Sequence, residues 1–168
     1  GCFVPYRALK TTHKHLVFVI AFVALLMQSI VAQTTNISFP SLDMDLMGYV
    51  SLEEMSISVA NDIWGWTDPD DSKEYVLLGA GSGVCFLRLE SGGVPHYMGH
   101  LQSHSSTSLW RDVKVLGNYA YIVSESPGSG LQIFDLTELR NWDNTQGPVE
   151  WLETSYASGF STAHNIAV

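Results

Sequence analysis

The segment from His104 to Asp112 concentrates side chains that bind ligands. It holds an imidazole, several hydroxyls, an indole, a guanidinium and a carboxylate. A guanidinium donates parallel hydrogen bonds to a carboxylate, hydroxyls exchange hydrogen bonds with sugars, and an aromatic ring offers a stacking surface. This chemistry indicates recognition of a sugar or a carboxylate. We therefore predict that His104, Trp110, Arg111 and Asp112 belong to a ligand-binding site.

Polar pairs of related chemistry precede an apolar residue at two other places, Asn61-Asp62 and His164-Asn165. The Asp or Asn of each place stands at 62, 112 and 165, at spacings of 50 and 53 residues. We predict that Asp62, His164 and Asn165 join the same site as Asp112. The competing interpretation is structural, because Asp and Asn at the start of a strand often bind only nearby backbone N–H groups.

Patterns for catalysis and metal binding are weaker. His96, His100 and His104 are spaced by four residues, which would form a metal-binding face on a helix. The sequence around them is strand-like, so the first two imidazoles would stand about 13 Å apart. No G-x-S-x-G motif surrounds a serine, and we interpret Gly81-Ser82-Gly83 as a turn. The sequence therefore predicts no catalytic residue, no metal and no cofactor.

The body of the chain repeats with a period of about fifty residues. Each matched segment is rich in Val, Ile and aromatic residues and is bounded by Gly, Pro, Asp or Ser, which are strand and turn signals. The matched segments are Leu46–Val50 with Tyr97–Leu101 and Trp151–Glu153, Asn61–Trp64 with Arg111–Lys114 and His164–Ala167, Tyr75–Gly79 with Ala120–Ser124, and Gly83–Leu89 with Gly130–Leu136.

Four short strands in a unit of about 50 residues are typical of a β-propeller blade. We therefore predict an all-β fold, a partial β-propeller of four-stranded blades, with units near residues 46–97, 97–150 and 151–168. The last unit is truncated, and because a propeller closes with at least about four blades, residues 46–168 are expected to belong to a longer one. The alternative, a β-sandwich of hairpins, has no long period.

Two clustered strings, NDIWGW at 61–66 and WRDVKV at 110–115, resemble the LVIVD-repeat propellers and, more narrowly, the choice-of-anchor B family of secreted and surface-attached proteins. The closing Ala163–Ala167 strengthens the resemblance, which runs from about Leu46 to Val168. It implies an extracellular location and a binding or adhesion-like role, with no firmly assigned catalytic activity. The chain departs from the family at Arg88, where an Asp is common.

The first 32 residues are predicted to be a signal peptide. Basic residues precede the apolar run Leu16–Met27, and Ala32 supplies a small residue for cleavage. An uncleaved membrane anchor is the alternative, although the segment is shorter than the about 20 residues that a span needs. A short linker over residues 33–45 follows, in which Asn36 begins a glycosylation sequon.

The net charge excludes one class of partner, and the cysteine content bears on the role of Cys85. With 17 acidic and 8 basic side chains, the net charge of −9 argues against nucleic acid. We interpret the acidic residues at 68–72 as an exposed turn. Cys85 is the only thiol after the predicted signal peptide, and we expect it to be a buried small hydrophobe.

The expected function is a secreted or cell-surface binding module for an extracellular protein or carbohydrate. The alternative is an extracellular propeller enzyme, a hydrolase or lyase with its site at the channel mouth. In that case the acid–base groups would come from Asp62, His104, Asp112 and His164, and carboxylates paired about 5–10 Å apart would favour it.

Overall fold

The computed structural model describes residues 42–168, and this part of the chain is all-β, as predicted. One short 3-10 helix, Leu136–Asn141, lies within it. The nine strands are β1 (Ala60–Thr67), β2 (Glu74–Ala80), β3 (Gly83–Glu90), β4 (Val94–Gln102), β5 (Arg111–Leu116), β6 (Tyr119–Ser124), β7 (Leu131–Asp135), β8 (Val149–Trp151) and β9 (Ser155–Ala157).

The predicted signal peptide and the sequon at Asn36 lie outside the described residues. Residues Asp43–Val168 form one compact unit. Across residues 42–168, no helix has the length and apolar character that crossing a membrane requires. The architecture of this unit is what positions the candidate site.

The strands form two sheets, ordered β1-β2-β3-β4-β8 and β5-β6-β7-β9. Neighbouring strands are antiparallel except β4 and β8, which are parallel. The predicted tight turn at Gly81-Ser82 is confirmed, since Ala80 pairs directly with Gly83. Because β8 pairs with β4 and β9 pairs with β7, one short segment of chain joins the edges of both sheets.

Close backbone approach explains the glycine in the middle of β4. Gly99 has φ +140°, and a Cβ there would meet the Val149 carbonyl oxygen at 1.9 Å. A side chain would therefore exclude β8 from this edge. A β-bulge in β1, by contrast, interrupts strand pairing. Asn61, the residue before Asp62, has no partner in β2.

The main core lies between the sheets. It joins Trp66, Leu77 and Phe86 of the first sheet to Val113 and Phe134 of the second, and the rings of the two phenylalanines stack with centroids 4.8 Å apart. A second apolar cluster covers the other face of the first sheet, built from Met55, Ala80, Cys85 and Leu87. The first sheet is thus buried on both faces, which agrees with the continuous apolar run of β3.

Burial of the Cys85 thiol confirms its prediction as a small core hydrophobe. The side chain is fully buried, and burial raises its pKa to about 11. A thiol held protonated at neutral pH is a poor nucleophile. Cys85 therefore contributes packing rather than chemistry.

Two predicted strand segments were wrong. Leu46–Val50 forms no strand; Gly48 packs so closely on Pro95 that a Cβ would lie 2.2 Å from its ring. Because proline has no N–H to donate, the segment around Gly48 cannot pair with β4 as a strand at this position. His164–Ala167 is also irregular, because the Ile166 N–H donates to the Asp112 carboxylate instead of a strand partner.

The acidic turn at 68–72 is less exposed than predicted. Asp68 is fully buried and accepts two hydrogen bonds from Arg140, both at 2.7 Å. Arg140 also pairs with Asp70 at 2.8 Å. The hydrogen bonds from Arg140 lower the pKa of Asp68, although burial opposes them. This forked ion pair ties the turn after β1 to the 3-10 helix.

Candidate functional site

A small polar pocket lies where β1 and β5 begin and the C-terminal segment passes. Its volume is about 170 Å³. It brings together every predicted ligand-binding residue except His104. The lining residues are Asn61, Asp62, Trp110, Arg111, Asp112, His164 and Asn165.

The two carboxylates of the pocket are engaged by backbone groups distant in sequence. Asp62 Oδ2 accepts the Val113 N–H at 2.9 Å, and Asp112 Oδ2 accepts the Ile166 N–H at 2.7 Å. Each Asp therefore fixes the start of the next segment along the pocket, a structural role exerted on distant backbone N–H groups rather than on the nearby ones of the competing interpretation. The Asn165 amide approaches Asp112 Oδ2 at 3.5 Å.

Lys114 forms ion pairs with both carboxylates, and it was not among the predicted residues. Its ammonium forms a short ion pair with Asp112 Oδ1 and lies 3.4 Å from Asp62 Oδ2. It also sits 4.6 Å from the centre of the Trp64 ring, in a cation–π arrangement. The sequence does contain a signal for the role of Lys114. It follows Asp112 by two residues in a strand, and such residues share a face of the sheet.

The ionisation of this cluster limits its chemistry. Burial alone would raise the pKa of Asp112, but hydrogen bonds from Lys114 and the Ile166 N–H outweigh it and hold the pKa low. Burial likewise opposes the charge of Lys114, and its bond to Asp112 raises the pKa nonetheless. Asp112 is therefore a carboxylate at neutral pH and cannot serve as a general acid, which needs a raised pKa.

Arg111 differs from its neighbours because no carboxylate in the described part of the chain pairs with its charge. The side chain is 3% exposed; Nε donates to the Ala80 carbonyl at 3.0 Å and Nη2 to Ser103 Oγ at 2.9 Å. Within residues 42–168 it forms no ion pair. Burial lowers its pKa to about 10. Buried charges in proteins are normally paired, so a guanidinium that contacts only neutral oxygens is the unusual group among these residues.

The rim of the pocket is aromatic. Trp110 is 47% exposed, and its ring centroid lies 5.8 Å from that of His164. His164 Nδ1 is 2.6 Å from Glu125 Oε1, which holds the imidazole at the rim. An exposed indole beside a polar pocket offers a stacking surface to a flat or ring-shaped ligand.

His104 does not lie in this pocket, so that part of the predicted site is corrected. Its Nδ1 is 2.7 Å from Glu153 Oε1, and its ring stacks on Tyr156 with centroids 3.4 Å apart. Glu153 lies between β8 and β9 and Tyr156 lies in β9, so these partners draw His104 toward the edge of both sheets. It lines a second cavity of about 240 Å³ with Gln132, Trp151 and Glu153.

A third cavity, of about 320 Å³, contains an unpredicted serine–histidine contact. Ser82 Oγ is 3.2 Å from His100 Nε2, and His100 is 6% exposed. Burial lowers the pKa of His100. His100 and His104 thus have separate partners, and among residues 42–168 no group of three His, Cys, Asp or Glu side chains is arranged to hold a metal.

Fold and site together define an all-β protein with a small polar pocket, in which two carboxylates, a lysine and a buried arginine come together. Comparisons of the chain with protein-family models, with curated proteins and with solved structures found no match. Membership of the LVIVD-repeat or choice-of-anchor B families therefore stays a prediction. The function is inferred from the chemistry of the pocket.

Proposed function

We propose that this chain is part of a secreted or cell-surface β-propeller that binds an extracellular glycan through the Arg111 pocket. Two features support the propeller. Strands β1 to β4 form a four-stranded antiparallel meander, as a blade does, and the second sheet also holds four antiparallel strands. Strands β1 and β5, each first in its sheet, contact one another.

The ligand class follows from the unpaired charge of Arg111. A carboxylate entering the pocket would accept hydrogen bonds from the guanidinium and supply the missing counter-charge. The hydroxyls around it would find Asn61 and Asn165 in the wall and the exposed indole of Trp110 at the rim. A sugar acid combines these groups, so the proposed ligand is a glycan with a uronic-acid type residue.

Size and net charge restrict the ligand further. A volume of about 170 Å³ is below the about 300 Å³ of the smallest pockets for whole small molecules, so the pocket takes one unit of a larger partner. A net charge of −9 repels densely charged polyanions. The proposal is therefore one isolated carboxylate among neutral hydroxyls rather than a sulfated chain.

The test compares matched sugars on matched variants. Methyl glucuronide and methyl glucoside differ only in the carboxylate, and calorimetry on the full chain gives their affinities. We expect the glucuronide to bind more tightly and Arg111→Lys to remove most of that preference, because lysine keeps the charge but loses the fork. Arg88→Lys, outside the pocket, is the control. Equal binding of both sugars by the wild type would contradict the proposal.

The enzyme alternative is favoured by one observation, the Ser82–His100 contact, and not by the carboxylates. A glycosidase needs a protonated acid beside its second carboxylate, whereas Asp112 is held ionised. At Ser82, the hydroxyl would attack an ester carbonyl while His100 takes its proton; the ester C–O bond would then break, and His100 would return the proton to the departing alcohol. A fluorophosphonate probe tests this directly: labelling lost in Ser82→Ala would establish a hydrolase, and an unlabelled protein would exclude a reactive Ser82.

A further inference from the structure

Two hydrogen bonds of the same kind join successive repeats of the chain. Asp62 Oδ2 accepts the N–H of Val113. Asp112 Oδ2 accepts the N–H of Ile166. In each case the donor is the residue directly after the next recurring Asp or Asn, which is Asp112 or Asn165. The segment that begins at Asn165 therefore joins β5 in the way that β5 joins β1.

The face of the first sheet that carries Asp62 is covered by the second sheet. Side chains two residues apart in a strand, and those directly paired across neighbouring strands, share a face. Followed from Asp62, this rule leads to four side chains that are at most 5% exposed, Trp66, Tyr75, Leu77 and Phe86. All four belong to the core between the sheets. The Asp that binds the next repeat thus marks the face on which the next sheet packs.

The corresponding face of the second sheet is accessible to solvent. Followed from Asp112, the same rule leads to Leu116, Tyr119, Tyr121 and Ile133, in the register positions of the four core residues of the first sheet. Leu116 is 58% exposed and Tyr119 is 41% exposed, while the other two are half-buried. Apolar and tyrosine side chains are typical of the centre of a protein interface.

This face is continuous with a contact that the chain already makes. The Ala163 N–H donates to the Ser124 carbonyl at 3.1 Å, so the C-terminal segment lies along the end of the second sheet where β5 begins and β6 ends. Val123, which pairs with Asp112 at this end, is only 2% exposed. Exposure rises toward Leu116 at the other end of β5.

We propose that the face of Leu116, Tyr119, Tyr121 and Ile133 docks a further antiparallel sheet of the same repeat, whose first strand begins at Ile166. The chemistry of this partner follows from the side chains by which the second sheet meets the first, Val113, Ala120, Ile122 and Phe134. They are small or branched apolar groups around one aromatic ring. The inference rests on the repeat in the proposed function and not on its glycan, so sheet docking and glucuronide binding can fail independently.

The experiment extends the full chain by one repeat. A copy of residues 113–168 is placed after Asn165, so that its first residue takes the position of Ile166. Leu116→Asp is made in the chain and, at the original position only, in the extended chain, and calorimetry gives the melting temperatures. In the unextended chain we expect a change of less than about 2 °C, because the side chain is exposed. In the extended chain we expect a fall of about 8 °C, because the added sheet buries the aspartate without a partner.

Ile63→Asp is the matched control. Ile63 is 61% exposed and points to the face opposite that of Asp62, so this change should have the same small effect in both chains. Leu116→Ala replaces Leu116→Asp if the latter does not fold. Equal effects of the substitution in the two chains would overturn the proposal. A dimer of the unextended chain that Leu116→Asp dissociates in sedimentation velocity would also overturn it, because the face would then bind a second copy.

Discussion

Arg111 and Asp112 are adjacent in sequence, yet the protein treats their charges differently. The Asp112 carboxylate is bound by Lys114 and a backbone N–H, whereas the guanidinium beside it reaches only neutral oxygens. Alternation along β5 is the cause, because successive side chains point to opposite faces of a sheet. Arg111 therefore turns toward Ala80 of the first sheet, and Asp112 turns toward Ile166.

Under the proposed function, the contrast distinguishes structural residues from ligand-binding residues within one pocket. Groups whose charge is already satisfied hold the fold together, and a group whose charge is open is available to a partner. Arg140 extends the comparison, since it is a guanidinium of the same type that is fully engaged by Asp68 and Asp70. Paired and unpaired arginines should respond to substitution in different ways.

The largest loss of stability is expected from Arg140→Met. This change leaves the Asp68 carboxylate buried without its partner, which is among the most destabilising alterations in a protein. We expect the melting temperature to fall by about 12 °C. Differential scanning calorimetry measures the change, and Asp70→Asn, which removes only the exposed partner, is the control. If Arg140→Met melts at the same temperature as the wild type, the ion pair of Arg140 does not stabilise the fold, and the proposed difference between Arg140 and Arg111 is contradicted.

Asp112→Ala should cause the next largest loss. It removes the acceptor of the Ile166 N–H and the partner of Lys114, at a cost of about 2 kcal/mol. Urea unfolding with a fixed slope gives this number directly. A ligand-binding defect at unchanged stability would instead indicate that Asp112, like Arg111, serves the ligand rather than the fold.

Acid sensitivity is a smaller effect with a definite sign. The pKa of Asp68 is lowered from 3.8, first by its hydrogen bonds to Arg140. A carboxyl with a depressed native pKa stabilises the fold above its unfolded pKa, and this contribution is lost as the pH falls through the native value. We expect wild-type stability to decline below about pH 4 and Arg140→Met to decline less steeply over that range. Parallel slopes in urea titrations at each pH would contradict this.

Local signals explain which parts of the fold were predictable. Strands β2, β3, β6 and β7 agree with the predicted segments because short runs of β-branched and aromatic residues and the turn residues that bound them are encoded within a few positions. The prediction of a strand at Leu46–Val50 was wrong because the conformation of this segment depends on its contact with Pro95, which is distant in the sequence.

In the candidate site, too, local sequence predicted some features and contacts between distant residues determined the others. The recurrence of Asp and Asn found residues that the pocket brings together, but their roles depend on partners far along the chain. Asp62 bonds to a residue 51 positions away and Asp112 to one 54 away. His104 was misplaced because its partner, Glu153, is 49 residues distant. Lys114 could have been found from strand alternation, because it follows Asp112 by two residues.

The most direct test of the contrast is Arg111→Met, which keeps the length of the side chain and removes its charge. Because removing a buried charge without an ion pair among the described residues offsets the loss of its hydrogen bonds to Ala80 and Ser103, we expect the free energy of unfolding to change by less than about 1 kcal/mol. Binding of methyl glucuronide should be lost in the same variant. Destabilisation as large as that of Arg140→Met, with the glucuronide still bound, would contradict the assignment of Arg111 to a ligand.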